Sequence, residues 1–420
     1  MALLAALLLL LPGLGLAAQP TPGPGGEIGF TGTDGNVYSV KPSDATPIRL
    51  TNDADEHRTY RQVTWAPDGL RLAFVSYSQG QAGKVNASLH TALRDGSEAR
   101  EIYSSDTAAP FYLFWAPGSD RVTFLEVAGG SLTLKMVPWR GGPPVSIGSG
   151  QPYYWDWMPD GRTLVAHTGG SAADNPQGAA ISVLEPGGAG ARERSSGPAP
   201  ASFQAPDIAP DGRSFAAAVF SPGDQNLFVR QGDMSRYLAV VAPEGSVLRT
   251  LVRLEGIAAF EWSPDQRRIA LVDGKTTPIG GILGPLVLID AQAGTSQATA
   301  LEQVSLFSWS PDGKRLVAFV PRIVPAAEPV LLFGVFVVEA ATGQARLATV
   351  MRPTIEFLSG VVPFYDQYSR SSTFWSPDGS QLVLNAVGED GRPGIYLLPV
   401  EGRGPMRLLA EGLMPFWSPR

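Results

Sequence analysis

The stretch Trp309-Ser-Pro-Asp-Gly313 decides the fold, because close copies of it recur along the whole chain. An identical block stands at Trp375–Gly379, and six variants keep the proline at the third position. The eight blocks begin at Trp65, Trp115, Trp157, Ile208, Trp262, Trp309, Trp375 and Trp417. Successive blocks start 42 to 66 residues apart, which indicates a protein built from internal repeats.

Each block predicts a tight turn between two strands. Serine, proline and glycine suit the first, second and fourth positions of a type I turn. An apolar run follows each of the first seven blocks, as in Leu72–Tyr77 and Leu316–Val320, and most repeats contain two more such runs. Four short strands in 40 to 50 residues are typical of a β-propeller blade. We therefore assign the first residue of every block a structural role, in which its large apolar side chain packs between neighbouring blades.

The two ends of the chain predict how the ring closes. The block at Trp417 supplies one strand, and the segments Glu27–Phe30, Asn36–Val40 and Pro47–Leu50 supply three more. A blade shared between the termini would leave no open sheet edge. We predict a single all-β propeller over residues 27–420, with eight four-stranded blades. Seven blades are the alternative, because the weak block at Ile208 and the 66-residue interval can be interpreted in either way.

The N-terminal residues predict export. Residues 2–16 form a leucine-rich run that ends before Ala17 and Ala18, as in a secretory signal peptide over residues 1–18. The run is too short for a membrane span and is interrupted by Pro12. No lysine or arginine precedes it, which leaves an uncleaved N-terminal anchor as the alternative. Residues 19–26 read as a linker, and we expect an extracytoplasmic protein (periplasmic, secreted or cell-surface) without a membrane span after cleavage.

Composition narrows the classes of function. The net charge of −7 and the isoelectric point near 5.2 argue against a nucleic-acid partner. The chain has no cysteine and three histidines, so thiolate chemistry is excluded and a site with several histidines is disfavoured. The Gly-x-Ser-x-Gly signature of a serine hydrolase is also absent. We expect no cofactor and no metal.

The repeated block resembles the Trp-Ser-Pro-Asp-Gly repeat of the TolB-like and WD40-like β-propellers. The same repeat is found in the propeller domains of dipeptidyl peptidase-type proteins. The resemblance covers residues 27–420 and implies the propeller fold. It implies no particular activity, because this fold carries scaffolds, enzymes and sensors.

Two groups of residues are candidates for binding. The first is an insertion at residues 352–372, which lengthens one repeat and contains Phe357, Phe364, Tyr365, Asp366, Tyr368 and Arg370. Aromatic and arginine side chains that are exposed on a loop are typical of a recognition surface. The alternative is that the insertion folds back and buries these rings over the mouth of the channel.

The second group consists of Asp156, Asp207 and Glu261, which stand one residue before three consecutive blocks. If their side chains face the channel, three carboxylates converge and form a site for a cation or a basic peptide segment. If they face the turns, or pair with arginines, they are structural. The position in the sequence leaves both readings open.

We predict a non-catalytic, monomeric propeller that acts as a binding scaffold in the cell envelope. Its partner would be a protein or an envelope glycan. The alternative is a propeller hydrolase or lyase that acts on carbohydrate or peptide, with the three acids at the channel as general acid and base.

Overall fold

The computed structural model describes residues 25–44, 46–79, 85–128, 130–188, 190–220, 235–278, 280–325, 329–401 and 404–420. Within these ranges the chain forms eight antiparallel sheets that are arranged as a ring of blades. The prediction of an eight-bladed propeller is confirmed, and the seven-bladed alternative is excluded. The predicted signal peptide lies outside the described residues.

The strands follow one another in chain order, four to most blades. The first half of the chain contains β1 Ile28–Thr31, β2 Val37–Val40, β3 Ile48–Arg49, β4 Arg58–Trp65, β5 Arg71–Gln79, β6 Val85–Leu93, β7 Arg100–Ser105, β8 Phe111–Trp115, β9 Arg121–Ala128, β10 Ser131–Pro138, β11 Val145–Gly150, β12 Tyr153–Trp157, β13 Leu164–Thr168, β14 Ala180–Gly187 and β15 Gly190–Ser196. The second half contains β16 Asp207–Ile208, β17 Phe215–Phe220, β18 Arg236–Val241, β19 Val247–Leu254, β20 Ile257–Trp262, β21 Arg268–Thr276, β22 Ile282–Leu283, β23 Leu286–Asp290, β24 Ser296–Ala298, β25 Leu306–Trp309, β26 Arg315–Val324, β27 Val330–Glu339, β28 Ala345–Met351, β29 Gln381–Val387, β30 Pro393–Pro399, β31 Arg407–Glu411 and β32 Leu413–Trp417.

We number the blades along the chain, so that β4, β8, β12, β16, β20 and β25 begin blades 1 to 6 and β29 belongs to blade 7. The termini share the eighth blade, whose strand order is β3-β2-β1-β32. Strand β32 runs antiparallel to β1, and Ile28 lies opposite Trp417. The pairing continues past the strands, because the Ser418 backbone N–H donates to the Glu27 carbonyl oxygen at 2.7 Å. The predicted closure by one C-terminal and three N-terminal strands is therefore confirmed.

Blade 7 is the least regular sheet, with the order β29-β30-β31. Its innermost position is held by a single bridge, in which Trp375 pairs with Leu382. The neighbouring Thr373 forms a bridge to Trp417 of the next blade instead. This is the blade that follows the long insertion, so the insertion takes the place of a regular inner strand.

The first residue of each block lies between blades, as predicted, and all eight of these residues are buried. The indole N–H groups of Trp309 and Trp375 donate to carbonyl oxygens of the preceding blade, at Glu261 (3.0 Å) and Ser308 (3.1 Å). Trp65 does the same with Phe416 across the closure, at 3.1 Å. These three tryptophans thus supply both apolar area and a directed link from one blade to the next.

The rest of the block forms the predicted turn. The Gly313 N–H donates to the Ser310 carbonyl oxygen at 2.9 Å, and Gly313 has a φ of +67°, which glycine adopts without strain. The Asp312 carboxylate accepts the Ser310 hydroxyl at 2.7 Å and the Lys314 N–H at 3.1 Å. The serine and the aspartate of the block therefore brace the turn.

Candidate functional site

The insertion at residues 352–372 folds back across the centre of the ring. It contains a π-helical turn at Phe357–Val361, a 3-10 turn at Val362–Phe364 and one α-helical turn, α1, at Tyr365–Tyr368. Successive residues bind different blades, so the insertion closes the channel from the side of the blade-to-blade connections. We call it the plug.

The contacts of the plug explain its position. Gln367 makes two hydrogen bonds to the backbone of Trp155 in blade 3, at 2.9 and 3.0 Å. Asp366 accepts the N–H of Ala205, which leads into blade 4, at 2.9 Å. On the opposite side, the Thr64 hydroxyl of blade 1 donates to the Ser371 carbonyl oxygen at 3.1 Å. These directed bonds fix the plug to blades on both sides of the channel.

The expected exposure of the plug's aromatic residues is wrong for most of them. Phe357 and Tyr365 are 3% and 6% exposed, and Tyr368 is half-buried. Phe357 packs against Phe319, with ring centroids 5.8 Å apart, because the plug offers its apolar side to the inner strands. Phe364, at 37%, is the exposed ring of the set. The alternative, in which the rings fold over the channel mouth, describes this arrangement, and a binding role for these residues stays a prediction.

Two of the three acids before consecutive blocks, Asp156 and Asp207, link the inner strands of neighbouring blades, whereas Oε2 of Glu261 is buried without a partner among the described residues. Asp156 accepts the N–H of Ile208, the first residue of the next block, at 2.9 Å. Asp207 in turn accepts the N–H of Trp262, again the first residue of the following block. The carboxylate thus satisfies a backbone donor that faces the channel, where no further strand can pair with it.

Arg370 of the plug supplies the positive charge at this level of the channel. Its Nη1 lies 2.7 Å from Asp207 Oδ1, and its Nη2 donates to the Phe260 carbonyl oxygen at 2.8 Å. The side chain of Arg370 is 4% exposed, so the expected exposure is wrong for this residue as well. Asp207 therefore pairs with an arginine of the chain itself, which is the structural reading that the sequence left open, and a site for an external cation or peptide at the three acids stays a prediction.

Burial dominates the acid–base behaviour of this cluster. Burial raises the pKa of Asp156 to about 7 and that of Glu261 to about 8, while the charge of Arg370 acts in the opposite direction. Burial also raises the pKa values of Asp207 and Asp366. The charge of Arg370 acts on all four carboxyl groups, and the enclosed site favours the protonated forms of Asp156 and Glu261 near neutral pH.

Below the plug the channel continues towards the block turns as a cavity of about 200 Å³. Its walls include Trp65, Trp115 and Trp417, together with Arg370 and Ser371 of the plug. The plug therefore separates the turn side of the channel from the opposite side.

A second cavity, of about 420 Å³, opens on the face opposite the block turns. The segment between β1 and β2, the start of β4, the plug and the start of β32 surround it. We call it the loop-face cavity. Its walls include Thr31, Arg61, Gln62, Glu356, Tyr368 and Met414. Of these six residues, only Tyr368 is among the candidate binding residues that the sequence indicates.

Local backbone geometry shapes the loop-face cavity. Gln62 and Met414 have φ values of +59° and +52°, in the left-handed region that non-glycine residues seldom adopt. The pairing of β4 with β5 shifts register between Arg61 and Thr64, so Gln62 stands in a bulge. Such conformations cost about 1–3 kcal/mol each and tend to gather at functional sites. No residue type in the sequence marks either position.

Two polar atoms in the wall of this cavity have no hydrogen-bond partner among the described residues. They are the Thr31 hydroxyl and the Gln62 side-chain oxygen, and Thr31 is only 5% exposed. The Gln62 amide nitrogen is held by the Tyr77 hydroxyl at 3.0 Å, which fixes the orientation of the amide group. Buried polar atoms are normally paired, so these two are exceptions, but each atom is enclosed by protein and neither faces the open space of the cavity.

Comparisons with known proteins bear on the fold. No protein-family model and no curated sequence matches the chain. Among solved structures, the dihydro-heme d1 dehydrogenase NirN in complex with DHE has a TM-score of 0.52 and 14% identity, covering 97% of this chain and 78% of that one. Oligogalacturonate lyase in complex with manganese has a TM-score of 0.50 and 13% identity, covering 89% and 97%. TolB from Acinetobacter baumannii has a TM-score of 0.40 and 13% identity, covering 92% and 79%.

The class that these observations define is the β-propeller, and the solved structures that resemble the chain include TolB proteins and other propellers. At such low identities the likeness concerns the fold alone. Within the described ranges, no group of three or more histidine, aspartate or glutamate side chains is placed to hold a metal ion. Over the same ranges, no helix is both long and apolar enough to cross a membrane.

Proposed function

We propose that the protein is an exported, non-catalytic propeller that binds a ligand or a partner's segment in the loop-face cavity, in the cell envelope. The observation that carries the proposal is a cavity of about 420 Å³ whose wall joins both ends of the chain to the plug and includes the charged residues Arg61 and Glu356. This volume lies within the roughly 300–1,000 Å³ of small-molecule sites. The leucine-rich run at residues 2–16 supports export.

The contacts of the three acids argue against a catalytic role for them. Asp156 and Asp207 already accept backbone N–H groups, and Arg370 pairs with Asp207 at 2.7 Å. A general acid and base need a free approach to a substrate. The plug lies where that substrate would have to enter, so the acids support a structural role.

A substitution that fills the cavity tests the proposal. Gly360 of the plug lines the cavity, and a Cβ built on it would meet Met414 Cε at 3.8 Å, an ordinary contact distance. Gly360→Leu therefore fills the space with little strain on the backbone. Gly188→Leu is the matched control, because its Cβ would meet nothing within 4 Å in an exposed loop far from the cavity.

The assay is affinity capture from the envelope fraction of the native host, read by mass spectrometry. We expect a stoichiometric partner or ligand that is lost with Gly360→Leu and retained with Gly188→Leu, while both variants unfold at the wild-type temperature. Equal capture by both variants would place binding elsewhere on the molecule and refute the proposed site.

A further inference from the structure

The loop-face cavity contains one charged group of each sign without a partner in the described part of the chain. Arg61 and Glu356 both line it, and neither makes an ion pair or a side-chain hydrogen bond there. The other two acids of the wall are already engaged. Asp34 pairs with Arg49 at 2.5 Å, and Asp55 accepts two backbone N–H groups at 2.8 Å.

The exposed Arg61 and the half-buried Glu356 therefore form a dipolar pair at the cavity. Arg61 presents a planar guanidinium that suits a carboxylate. Glu356 is an acceptor only, and it suits the hydrogens of an ammonium group. A simple anion would leave Glu356 unmatched, and a simple cation would lie beside the like charge of Arg61.

The remaining wall of the cavity is mixed. Tyr60, Tyr368, Leu413 and Met414 contribute apolar or aromatic surface beside the hydroxyl residues Thr33, Thr59 and Ser359. The Tyr60 hydroxyl is bound to Asp53 at 2.7 Å, so the tyrosine offers the cavity its ring and not its polar end. The ligand should accordingly join an apolar body to its two charges.

From this arrangement we propose that the loop-face cavity binds a zwitterion with an apolar body, that is, a free apolar α-amino acid or a short apolar peptide bound by its two termini. Arg61 holds the carboxylate, while Glu356 holds the ammonium group. This assignment rests on the proposed function of the cavity and specifies its ligand.

Isothermal titration calorimetry with a defined panel tests the assignment. The probes are L-phenylalanine, the dipeptide of leucine and phenylalanine, N-acetyl-L-phenylalanine and L-phenylalanine amide. We expect at least one of the first two to bind, and a loss of tenfold or more in affinity for the probe that lacks either charge. A tenfold loss corresponds to about 1.4 kcal/mol. Stronger binding of the amino acid or of the dipeptide identifies which of the two sources fits.

Two variants separate the contacts at the two ends of the ligand. Arg61→Gln should weaken binding of the zwitterion about tenfold and remove the preference over the amide, while keeping the preference over the N-acetyl compound. Glu356→Gln should give the opposite pattern. Arg162→Gln and Glu389→Gln are matched controls, because both side chains are exposed and lie outside the cavity.

The outcomes distinguish this inference from the proposal on which it rests. Equal binding of blocked and free probes, or no binding of any of them up to millimolar concentration, overturns the zwitterion assignment. If the host partner is still lost with Gly360→Leu, the cavity remains a binding site, but for other chemistry. A neutral oligosaccharide that binds there would likewise overturn the assignment and leave the proposed function in place.

Discussion

Removal of the buried guanidinium of Arg370 should make the fold sensitive to pH. The variant Arg370→Met keeps the length and the apolar stem of the side chain but leaves Asp207 without its partner at 2.7 Å. Breaking a buried ion pair on one side costs roughly 3–5 kcal/mol, because the remaining charge is uncompensated. We expect a loss of this size in the free energy of unfolding at pH 8.

The sign of the pH dependence follows from the raised pKa values of the acids. Asp156 and Glu261 ionise at about 7 and 8 in the folded protein, against 3.8 and 4.5 for the unperturbed groups. An acid with a raised folded pKa leaves stability intact below its unfolded pKa and removes it as the pH rises towards the folded value. Without Arg370 these folded values rise further, so the variant loses more stability than the wild type between pH 4 and pH 8.

Urea unfolding at pH 4, 6 and 8 measures the difference. At pH 4 Asp156 and Glu261 are largely protonated in the folded state, and we expect a loss of about 1–2 kcal/mol, mainly from the bond to the Phe260 carbonyl oxygen. Arg49→Met is the control, since its pair with Asp34 is half-exposed and worth about 0–1 kcal/mol at pH 6 and 8. A loss in Arg370→Met that is small at pH 8, or constant across the range, would refute the interpretation of the cluster.

Two further predictions concern the repeated block. In urea unfolding, Trp309→Phe should destabilise the fold by about 1 kcal/mol more than Trp262→Phe. The Trp309 indole donates to the Glu261 carbonyl oxygen, whereas the Trp262 indole has no partner among the described residues. Equal losses would contradict the link between blades. Gly313→Ala should lower stability by about 1–2 kcal/mol, since φ is +67° there, whereas Gln266→Gly, at φ +62°, should raise the thermal midpoint.

The blades could be predicted from the sequence because their determinants are local. The turn at Ser310–Gly313 needs only neighbouring residues, and it repeats often enough to give the blade count and the closure. Ser119 and Gln266 show the limit of that reasoning, because each adopts the left-handed conformation that glycine holds in other blocks, with φ of +57° and +62°. The stability of the folded ring offsets the cost of this conformation at both residues.

The candidate sites were only partly predictable, for a different physical reason. Asp156, Asp207 and Glu261 could be found because their place in the repeat is regular, but the identity of their counter-ion depended on the path of the plug. The expectation that Arg370 is exposed treated the insertion as a loop in water. In the folded ring, an unfilled channel would leave carboxylates and backbone donors without partners. The free-energy cost of burying one arginine there is lower than the cost of leaving these polar groups unpaired.

The loop-face cavity had no signature in the sequence, because its wall joins residues that are far apart. Thr31, Gln62, Glu356 and Met414 come from the two ends of the chain and from the plug. Gln62 and Met414 are notable for their backbone conformation, and Glu356 for the lack of an ion-pair partner. Neither property can be read from residue type.

One segment connects the two sites physically. The plug presents Glu356 and Tyr368 to the loop-face cavity, while Asp366, Gln367 and Arg370 bind it to blades 3, 4 and 5. A ligand in the cavity touches the same short segment that the ion pair anchors. Any free energy gained on binding is therefore added to the interactions that hold the plug in the channel. By reciprocity, a ligand that binds the anchored plug better than a loosened one will bind more weakly once the anchor at Arg370 is removed.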